Sequence, residues 1–361
     1  MNLVARYPTI LICWAALLVF SVVMVGSSAV ALQDSYLSKH LVYLALALIG
    51  FVICFAIPPN WWNQLYLLGW LVSVAIAVAV LLPGIGREVN GASRWISLGA
   101  FSLQAAEVAK FGLCVYLAGY LYRHVAKLGE DPGVLMLPLA MVALVAGLIV
   151  AEPDLGSAVV IVAATVSVLF IAGAKLRYFF LFALLGAGLL ALLIWDEPYR
   201  LERMIAFLDP WAVQYGSGYQ LTQALIAFGR GKWFGLGLGE GIQKLYYLPE
   251  AHTDFIYAVV AEELGMVGAI LLAAGLAFFI LQLLKLAKAN LNADNTFAAF
   301  ATYFLALTMG LQFLVSLGVN TGVLPTKGLT LPFVSYGGNS LIIFCGMLGM
   351  VLRTSSEEVN T

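Results

Sequence analysis

A short polar segment directly precedes one of the long apolar stretches of this sequence. Glu250, His252 and Asp254 lie close together in Leu-Pro-Glu-Ala-His-Thr-Asp, and the apolar stretch follows at once. Carboxylates and an imidazole at this spacing are suited to accept a proton from a hydroxyl group, which is general-base chemistry. Thr253 or Asp254 is equally typical of a helix N-cap, and a single histidine at such a boundary is more often structural. The segment therefore predicts either a proton acceptor or a helix start.

A second set of ionisable residues is expected at membrane depth. Glu107 and Lys110 are three positions apart, so a helix would place them on one face. Each ionisable group inside a membrane costs about 2.5–3.5 kcal/mol and so needs a partner or a function. The pair is either an internal ion pair that joins helices or part of a cavity in which the lysine holds an anion. Asp154, in Glu-Pro-Asp, is either a helix cap or a further polar residue of such a site.

Two irregular stretches supply further cations. Arg203 and Lys244 flank a run of alternating glycines, Gly235 to Gly241, whose backbone N–H groups could cradle a phosphate. The run lacks the strand and βαβ context of a dinucleotide-binding fold, and a compact loop facing lipid headgroups explains it equally well. Lys327 stands among prolines, glycines and hydroxyl residues in 324–340, where the length of irregular chain favours the wall of a cavity over a plain turn.

Composition shows which class of protein must position these residues. Of 361 residues, 63% are hydrophobic and 10% are charged, whereas soluble domains have roughly 45–50% apolar and 25% charged residues. This predicts an integral membrane protein. The net charge of −1 argues against a nucleic-acid-binding or basic membrane-surface protein. The cysteines Cys13, Cys54, Cys114 and Cys345 lie in apolar runs without the spacing of a disulfide framework or a metal site.

Apolar stretches of about 20 residues indicate ten transmembrane helices and thus an all-α integral membrane protein. The predicted spans are 7–33, two within 40–86 separated by Pro58-Pro59, and stretches near 104–123, 134–151, 156–173, 178–195, 254–284, 296–319 and 335–352. Lys and Arg residues beside the span ends favour cytoplasmic termini. The interval 196–253, between spans seven and eight, is then a large extracytoplasmic loop, and 1–361 is expected to form a single polytopic membrane domain.

Five groups of motifs resemble those of the SEDS family (shape, elongation, division and sporulation). They are 89–96 (VNGASRWI), 151–156 (AEPDLG), 216–223 (GSGYQLTQ), 249–254 with 262–265, and 325–328 with 335–338. They follow one another in the family's order over nearly the whole chain, which makes the resemblance specific. The segment 326–330 is more similar to the division branch of the family than to its elongation branch.

The resemblance implies a SEDS-type bundle and an inverting peptidoglycan glycosyltransferase. It would polymerise lipid II at the outer face of the cytoplasmic membrane during septal synthesis. Asp254 would be the catalytic base, without a covalent intermediate, and Lys110 with Glu107 would position the substrate or orient Asp254. The candidate substrate-binding or supporting residues are Glu107, Lys110, Asp154, Arg203, Lys244, His252 and Lys327. No metal-ligand set is predicted, although a divalent cation (Mg²⁺ or Mn²⁺) bridging carboxylate and diphosphate is compatible with this chemistry.

The implied partners are lipid II, membrane lipid, an FtsI-like class B penicillin-binding transpeptidase and regulators of the FtsQ, FtsL and FtsB type; no nucleic acid is expected. Two other functions fit the same residues. A lipid II flippase would use Glu107 and Lys110 equally well, although the internal repeats typical of transporters do not stand out in this sequence. A non-catalytic scaffold that recruits the transpeptidase would not need Asp254.

Overall fold

The computed structural model describes residues 6–28, 35–89, 92–99, 101–196, 198–326 and 328–356, and most of them are helical. The helices are α1 Pro8–Ser28, α2 Ser35–Ala56, α3 Pro59–Gln64, α4 Tyr66–Leu81, α5 Ala105–His124, α6 Pro132–Ala151, α7 Leu155–Ile171, α8 Leu176–Asp196, α9 Pro198–Leu208, α10 Tyr219–Gly231, α11 Ile256–Asn292, α12 Thr296–Asn320 and α13 Gly338–Thr354. A helix lies in each stretch that the sequence predicts to span the membrane. The stretch 196–253, predicted as a loop, contains α9 and α10.

Six helices in the described part of the chain are long and apolar enough to cross a membrane: α1, α2, α6, α8, α11 and α12. Three further apolar helices, α4, α7 and α13, have 16 or 17 residues. At 1.5 Å per residue these extend for about 25 Å, whereas the hydrocarbon core is about 30 Å thick. The prediction of a helical multi-pass membrane protein is confirmed, and the count of ten crossings stays a prediction.

Prolines and a carboxylate set the ends of several helices. α2 ends at Ala56, and Pro59 is the first residue of α3, where a missing N–H group costs little. Asp131 caps α6 by accepting a hydrogen bond of 2.8 Å from the N–H of Gly133. The proline pair therefore breaks the long apolar stretch 40–86 where the sequence predicts.

A small antiparallel sheet, which the all-α prediction did not include, links α4 to α5. Its strands are β1 Gly86–Val89, β2 Ala92–Leu98 and β3 Phe101–Gln104, in that spatial order. The strands have four to seven residues, so their alternation is too short to stand out in an apolar sequence. Gly99, directly after β2, has a φ of +69°, which glycine adopts without strain.

The chain folds as two compact units, each made of several chain segments. The first unit contains the described residues of Met1–Val42, Leu181–Phe279 and Gln312–Gly337, and the second those of Tyr43–Phe180, Ile280–Leu311 and Gly338–Thr361. The candidate residues divide between them. Arg203, Lys244, His252 and Asp254 belong to the first unit, and Glu107, Lys110 and Asp154 belong to the second.

Close packing of α4 against α5 sets the position of α5 in the second unit. A Cβ atom on Gly69 would collide with the carbonyl of Gly112, and one on Gly112 would collide with the carbonyl of Gly69. The hydroxyl of Ser73 donates to the carbonyl of Ala109 at 3.3 Å. Small residues at both positions let the two backbones touch, which is how membrane helices gain packing energy. This contact fixes the helix that carries Glu107 and Lys110.

Candidate functional site

Asp254 lies at the end of a compact turn that leads into α11. The carbonyl of Glu250 accepts hydrogen bonds from the N–H groups of Thr253 (3.1 Å) and Phe255 (3.2 Å). The Thr253 hydroxyl donates to the Glu250 carboxylate at 2.8 Å. Since α11 begins at Ile256, Asp254 precedes the helix. The residue is half-buried. The turn therefore fixes the backbone that carries Asp254.

The segment after α12 holds this turn from another part of the chain. Ser335 Oγ donates to the carbonyl of Thr253 at 2.6 Å, and the N–H of Tyr336 donates to the carbonyl of His252 at 2.8 Å. Ser335 Oγ also accepts from the N–H of Leu331 at 2.8 Å. These contacts satisfy irregular backbone within protein, as a lipid environment requires. Part of the predicted cavity wall thus borders the Asp254 turn.

Gly328 leaves space for the Asp254 carboxylate. A Cβ atom on Gly328 would lie 3.2 Å from Asp254 Oδ2, which is tighter than an ordinary van der Waals contact. A side chain at this position would therefore displace either the carboxylate or the backbone. Lys327, the neighbouring residue predicted to hold diphosphate, lies outside the described residues.

His252 is packed within the first unit, with 7% of its surface exposed. Its ring meets Tyr36 edge to face with centroids 4.8 Å apart, and lies 5.5 Å from the ring of Tyr336. Burial lowers the pKa of His252, and the charge of Glu250 opposes this only in part. The ring is therefore mainly uncharged at neutral pH. These contacts give His252 a role in shaping the turn, and a substrate contact stays a prediction.

α11 is interrupted at Gly265, which has a φ of 71° and a ψ of −175°. The predicted span over 254–284 is present, and the break at Gly265 within it was not anticipated. The break frees backbone groups that lipid cannot satisfy. The chain after α10 supplies their partners: Leu236 N–H to Glu262 O and Gly237 N–H to Glu263 O (both 3.0 Å), Met266 N–H to Lys232 O (2.9 Å) and Val267 N–H to Trp233 O (3.1 Å).

The glycine run makes this docking possible. A Cβ atom on Gly235 would collide with the carbonyl of Glu263, and one on Gly265 would collide with the backbone of Gly235. The run was predicted either to cradle phosphate or to form a compact loop. The N–H groups of Gly237 and Gly239 already donate to Glu263, through its carbonyl and its carboxylate respectively. The compact loop is therefore the arrangement that the structure has.

The carboxylate of Glu262 organises one end of this loop. Its Oε1 accepts from Arg230 Nε at 3.0 Å and from the N–H of Ile242 at 3.2 Å, and its Oε2 accepts from the N–H of Gln243 at 3.0 Å. Glu262 is fully buried, so these donors replace the water that an ionised carboxylate would otherwise need. The residue acts as an internal anion that the loop wraps around.

The carboxylate of Glu263 binds Lys244. Lys244 Nζ lies 2.6 Å from Glu263 Oε1, and it also donates to Ser27 Oγ and to the carbonyl of Gly239, both at 2.8 Å. The hydroxyl of Ser27 donates to the same carboxylate at 2.7 Å. Lys244 is 3% exposed, so a diphosphate would reach its ammonium group only if this ion pair opened.

Arg203 is exposed on α9. A depression of about 490 Å³ in the same unit is lined by Glu202, Ile205, Ala212, Val213, Tyr215, Gly216 and Ser217. Arg203 is adjacent in sequence to this lining but does not form part of it. The structure therefore gives the arginine a surface position without assigning it a ligand.

In the second unit, Glu107 and Lys110 form a buried ion pair. Lys110 Nζ lies 2.7 Å from Glu107 Oε1, and their side chains are 1% and 5% exposed. The ammonium group also lies 5.3 Å from the centre of the Phe344 ring. Among the described residues, Glu107 Oε2 has no hydrogen-bond partner. The predicted pairing on one helix face is confirmed, and the anion-binding role of the lysine stays a prediction.

Asp154 is the N-cap of α7. Its Oδ1 accepts from the N–H of Ser157 at 3.1 Å, and its Oδ2 accepts from Ser157 Oγ at 2.8 Å. Gln104, the last residue of β3, donates to the same Oδ2 at 3.3 Å. The capping interpretation is confirmed by these bonds. Arg94 on β2 donates to the carbonyls of Glu152 and Pro153, so the sheet is fastened to the α6–α7 turn.

Some residues that hold the Asp254 turn were not predicted, Asn320 above all. Asn320 is the last residue of α12 and donates to the carbonyl of Asp254 at 2.8 Å. A polar residue at the very end of a long apolar helix was the available signal.

Over the part of the chain that the structure describes, no group of three or more His, Cys, Asp or Glu residues is arranged to hold a metal ion.

Comparison with known proteins places these features in a family. The family model described as "Cell cycle protein" (FtsW, RodA, SpoVE) matches residues 7–360. A relative from Coxiella burnetii, named "Probable peptidoglycan glycosyltransferase FtsW", is 44% identical over 97% of this chain and 96% of its own length.

Solved structures with the same fold agree with this assignment. One, described under "Structural coordination of polymerization and crosslinking by a peptidoglycan synthase complex", has a TM-score of 0.80 and 28% identity over 98% of both chains. The rod shape determining protein RodA of Thermus thermophilus has a TM-score of 0.72 and 28% identity, covering 98% of this chain and 97% of its own. This chain therefore belongs to the FtsW, RodA and SpoVE family of cell cycle proteins.

Proposed function

We propose that this protein is a peptidoglycan glycosyltransferase that polymerises lipid II during septal cell-wall synthesis. Membership of a family whose relatives bear the name of this activity carries the proposal. The half-buried carboxylate of Asp254, in a turn held by two other chain segments, supplies the chemical group that the reaction needs.

Asp254 acts as the general base. It takes the proton of the 4-hydroxyl of the acceptor GlcNAc as that oxygen attacks C1 of the donor MurNAc, and undecaprenyl diphosphate leaves. The linkage changes from α to β in a single inversion, so a base is needed and a covalent nucleophile is not. Hydrogen bonds to the backbone carbonyls of Thr253 and Asp254 restrict the positions that the Asp254 carboxylate can take. A base held in one position speeds the reaction because less orientational freedom has to be lost in the transition state.

Cations in the chain oppose the charge of the diphosphate. Lys110 is paired with Glu107 and is the candidate for positioning substrate in the second unit. Arg203 and Lys244 in the first unit are further candidates, as is Lys327, and Lys244 would have to leave Glu263 to take part. A divalent cation, when bound, would help to neutralise the charge of the diphosphate.

The chain crosses the cytoplasmic membrane ten times, with both termini in the cytoplasm and 196–253 outside. Helices in all ten predicted stretches support this count, and α4, α7 and α13 cross where the bilayer adapts to their shorter length. A class B penicillin-binding transpeptidase and regulators of the FtsQ, FtsL and FtsB type are the proposed partners. One structural neighbour is described as coordinating polymerisation with crosslinking in a synthase complex, which supports the transpeptidase.

Polymer formation from labelled lipid II tests the function. The full chain, purified with its transpeptidase partner, should produce glycan strands. Asp254→Asn, which keeps shape and removes the base, should lower the rate by roughly 10²–10⁴-fold, the usual contribution of a general base. Glu240→Gln, which removes an exposed carboxylate from the loop before the turn, should polymerise at the wild-type rate.

Two outcomes would contradict the proposal. Asp254→Asn protein with normal melting and a wild-type rate would remove Asp254 from the chemistry. Wild-type protein that moves lipid II across sealed vesicles but makes no glycan would indicate a flippase instead.

A further inference from the structure

We propose that Asn320 is a positioning residue for the base, joining the backbone of Asp254 to the first turn of α11 through one side-chain amide. This inference rests on the proposed function and extends it to a residue of a different helix. Asn320 stands 66 positions after Asp254 and 62 after Ala258, so no local sequence pattern connects them.

The amide of Asn320 makes three hydrogen bonds. Nδ2 donates to the carbonyl of Asp254 and to the carbonyl of Ser316, both at 2.8 Å. Oδ1 accepts from the N–H of Ala258 at 3.1 Å. The residue is fully buried, so water does not compete for these contacts. One planar group therefore joins the residue that bears the base to the first turn of α11.

The chemistry of the amide explains why asparagine suits this position. The first N–H groups of a helix lack partners within the helix, and a backbone carbonyl in the turn before the helix, such as that of Asp254, needs a donor as well. An amide offers donors on one atom and an acceptor on the other, whereas a carboxylate offers acceptors only. The bond to Ser316, one turn earlier in α12, fixes the rotamer of Asn320, so that Nδ2 faces the carbonyl of Asp254 and Oδ1 faces the N–H of Ala258.

The expected consequence of losing this amide is a slower chemical step. Asp254 would keep its side chain, but its backbone would be free to shift, and a displacement of about 1 Å can cost on the order of 10²-fold in rate. Because the base acts in the transition state, kcat should fall about 10- to 100-fold while KM for lipid II changes little.

The first variant is Asn320→Ala, with Asn290→Ala as its matched control. Asn290 is also a buried asparagine, 6% exposed, and donates to Ser355 Oγ at 2.7 Å within the second unit. Both variants lose a buried amide and should show similar falls in melting temperature. Only Asn320→Ala should lower kcat in the lipid II polymerisation assay.

The second variant, Asn320→Asp, provides a readout that a purely structural role would not produce. As a neutral acid it retains one donor and an acceptor, whereas as a carboxylate it presents only acceptors to the carbonyls of Asp254 and Ser316. The ratio of its kcat to that of the wild type should therefore fall as pH rises, while its fraction of folded protein, measured in parallel, stays constant across the assay range.

Wild type and Asp254→Asn are measured in the same assay so that the two proposals can be separated. If the wild type polymerises and Asp254→Asn does not, a wild-type kcat for Asn320→Ala, or a pH-independent kcat ratio for Asn320→Asp, overturns the positioning role alone. Equal kcat losses in Asn320→Ala and Asn290→Ala also overturn it. A wild-type protein that makes no glycan overturns the proposed function, and the positioning role with it.

Discussion

Carboxylates of one chemical type have different tasks in this protein, and their hydrogen-bond partners decide which. Glu262 and Glu263 are fully buried, and their oxygens are occupied by backbone N–H groups, Arg230, Lys244 or Ser27. Asp254 is half-buried, and it is the backbone around it that the protein binds tightly. Glu262 and Glu263 therefore hold the fold together, whereas Asp254 is the carboxylate proposed to react.

The buried carboxylate of Glu152 should make the stability of the fold depend on pH. It is fully buried in the α6–α7 turn, and within the described chain neither carboxylate oxygen has a hydrogen-bond partner. Burial raises the pKa of Glu152 to about 8, with a further contribution from the charge of Asp154 and an opposing one from Arg94. The folded protein therefore binds this proton more tightly than the unfolded chain, whose carboxyl has the ordinary pKa of 4.5.

The sign of the effect follows from proton linkage. Since the folded state retains the proton, the contribution of Glu152 to stability is complete below pH 4.5 and is lost as pH rises through about 8. The melting temperature of the detergent-solubilised protein should therefore decrease as the pH rises from 4.5 to about 8. Glu152→Gln, a neutral isostere of the protonated acid, should make the melting temperature depend less on pH. Near pH 8 it should raise the melting temperature by roughly 2–4 °C for each kcal/mol of unfolding free energy that is regained. Parallel melting curves for variant and wild type would contradict this expectation.

At the scale of elements, the break in α11 shows how a membrane helix can be interrupted without exposing unpaired backbone. The loop after α10 supplies partners for the groups around Gly265, and glycine at 235 and 265 lets the two backbones touch. The broken helix begins two residues after Asp254. The loop therefore supports the same helix that the Asp254 turn leads into.

Two glycines of α11 provide a matched test of this support. At Gly265, alanine would meet both a positive φ and the backbone of Gly235, so Gly265→Ala should destabilise the fold by about 1–3 kcal/mol from strain alone. Gly275 is helical and would place a Cβ atom in open space. Gly275→Ala should be neutral or stabilising by up to about 1 kcal/mol. Melting temperatures and polymerisation rates of both variants test this, and equal behaviour would exclude a special role for the break.

At the scale of the whole molecule, the proposed topology makes a direct prediction. Ser217, an exposed residue in the stretch 196–253, should face the outside, and Lys127, exposed after α5, should face the cytoplasm. In cells with a permeabilised outer layer, a membrane-impermeant maleimide should label Ser217→Cys and not Lys127→Cys. The native cysteines are buried or half-buried, so the unsubstituted chain gives the background. The reverse labelling pattern would show that the topology is the opposite one. Asp254 would then lie on the cytoplasmic side, where the proposed reaction does not take place.

The sequence by itself determined the class of protein, the places of the long helices and the residue proposed as base. Apolar stretches of this length form helices in lipid, because each backbone N–H and C=O group must find a hydrogen-bond partner within its own segment. Helix caps such as Asp154 and the pairing of Glu107 with Lys110 are equally local, since their partners lie three residues away. Local spacing was therefore sufficient to predict them.

Only the tertiary structure decided the break at Gly265, the partners of the glycine run and the place of Asn320. These features depend on contacts between distant residues, such as Ser27 with Glu263, 236 positions apart, and Asn320 with Asp254, 66 apart. A glycine run has the same composition whether its N–H groups bind phosphate or a carboxylate of the protein. Which acceptor they bind is set by how the chain packs, because a buried donor takes the partner that the fold brings within hydrogen-bonding distance.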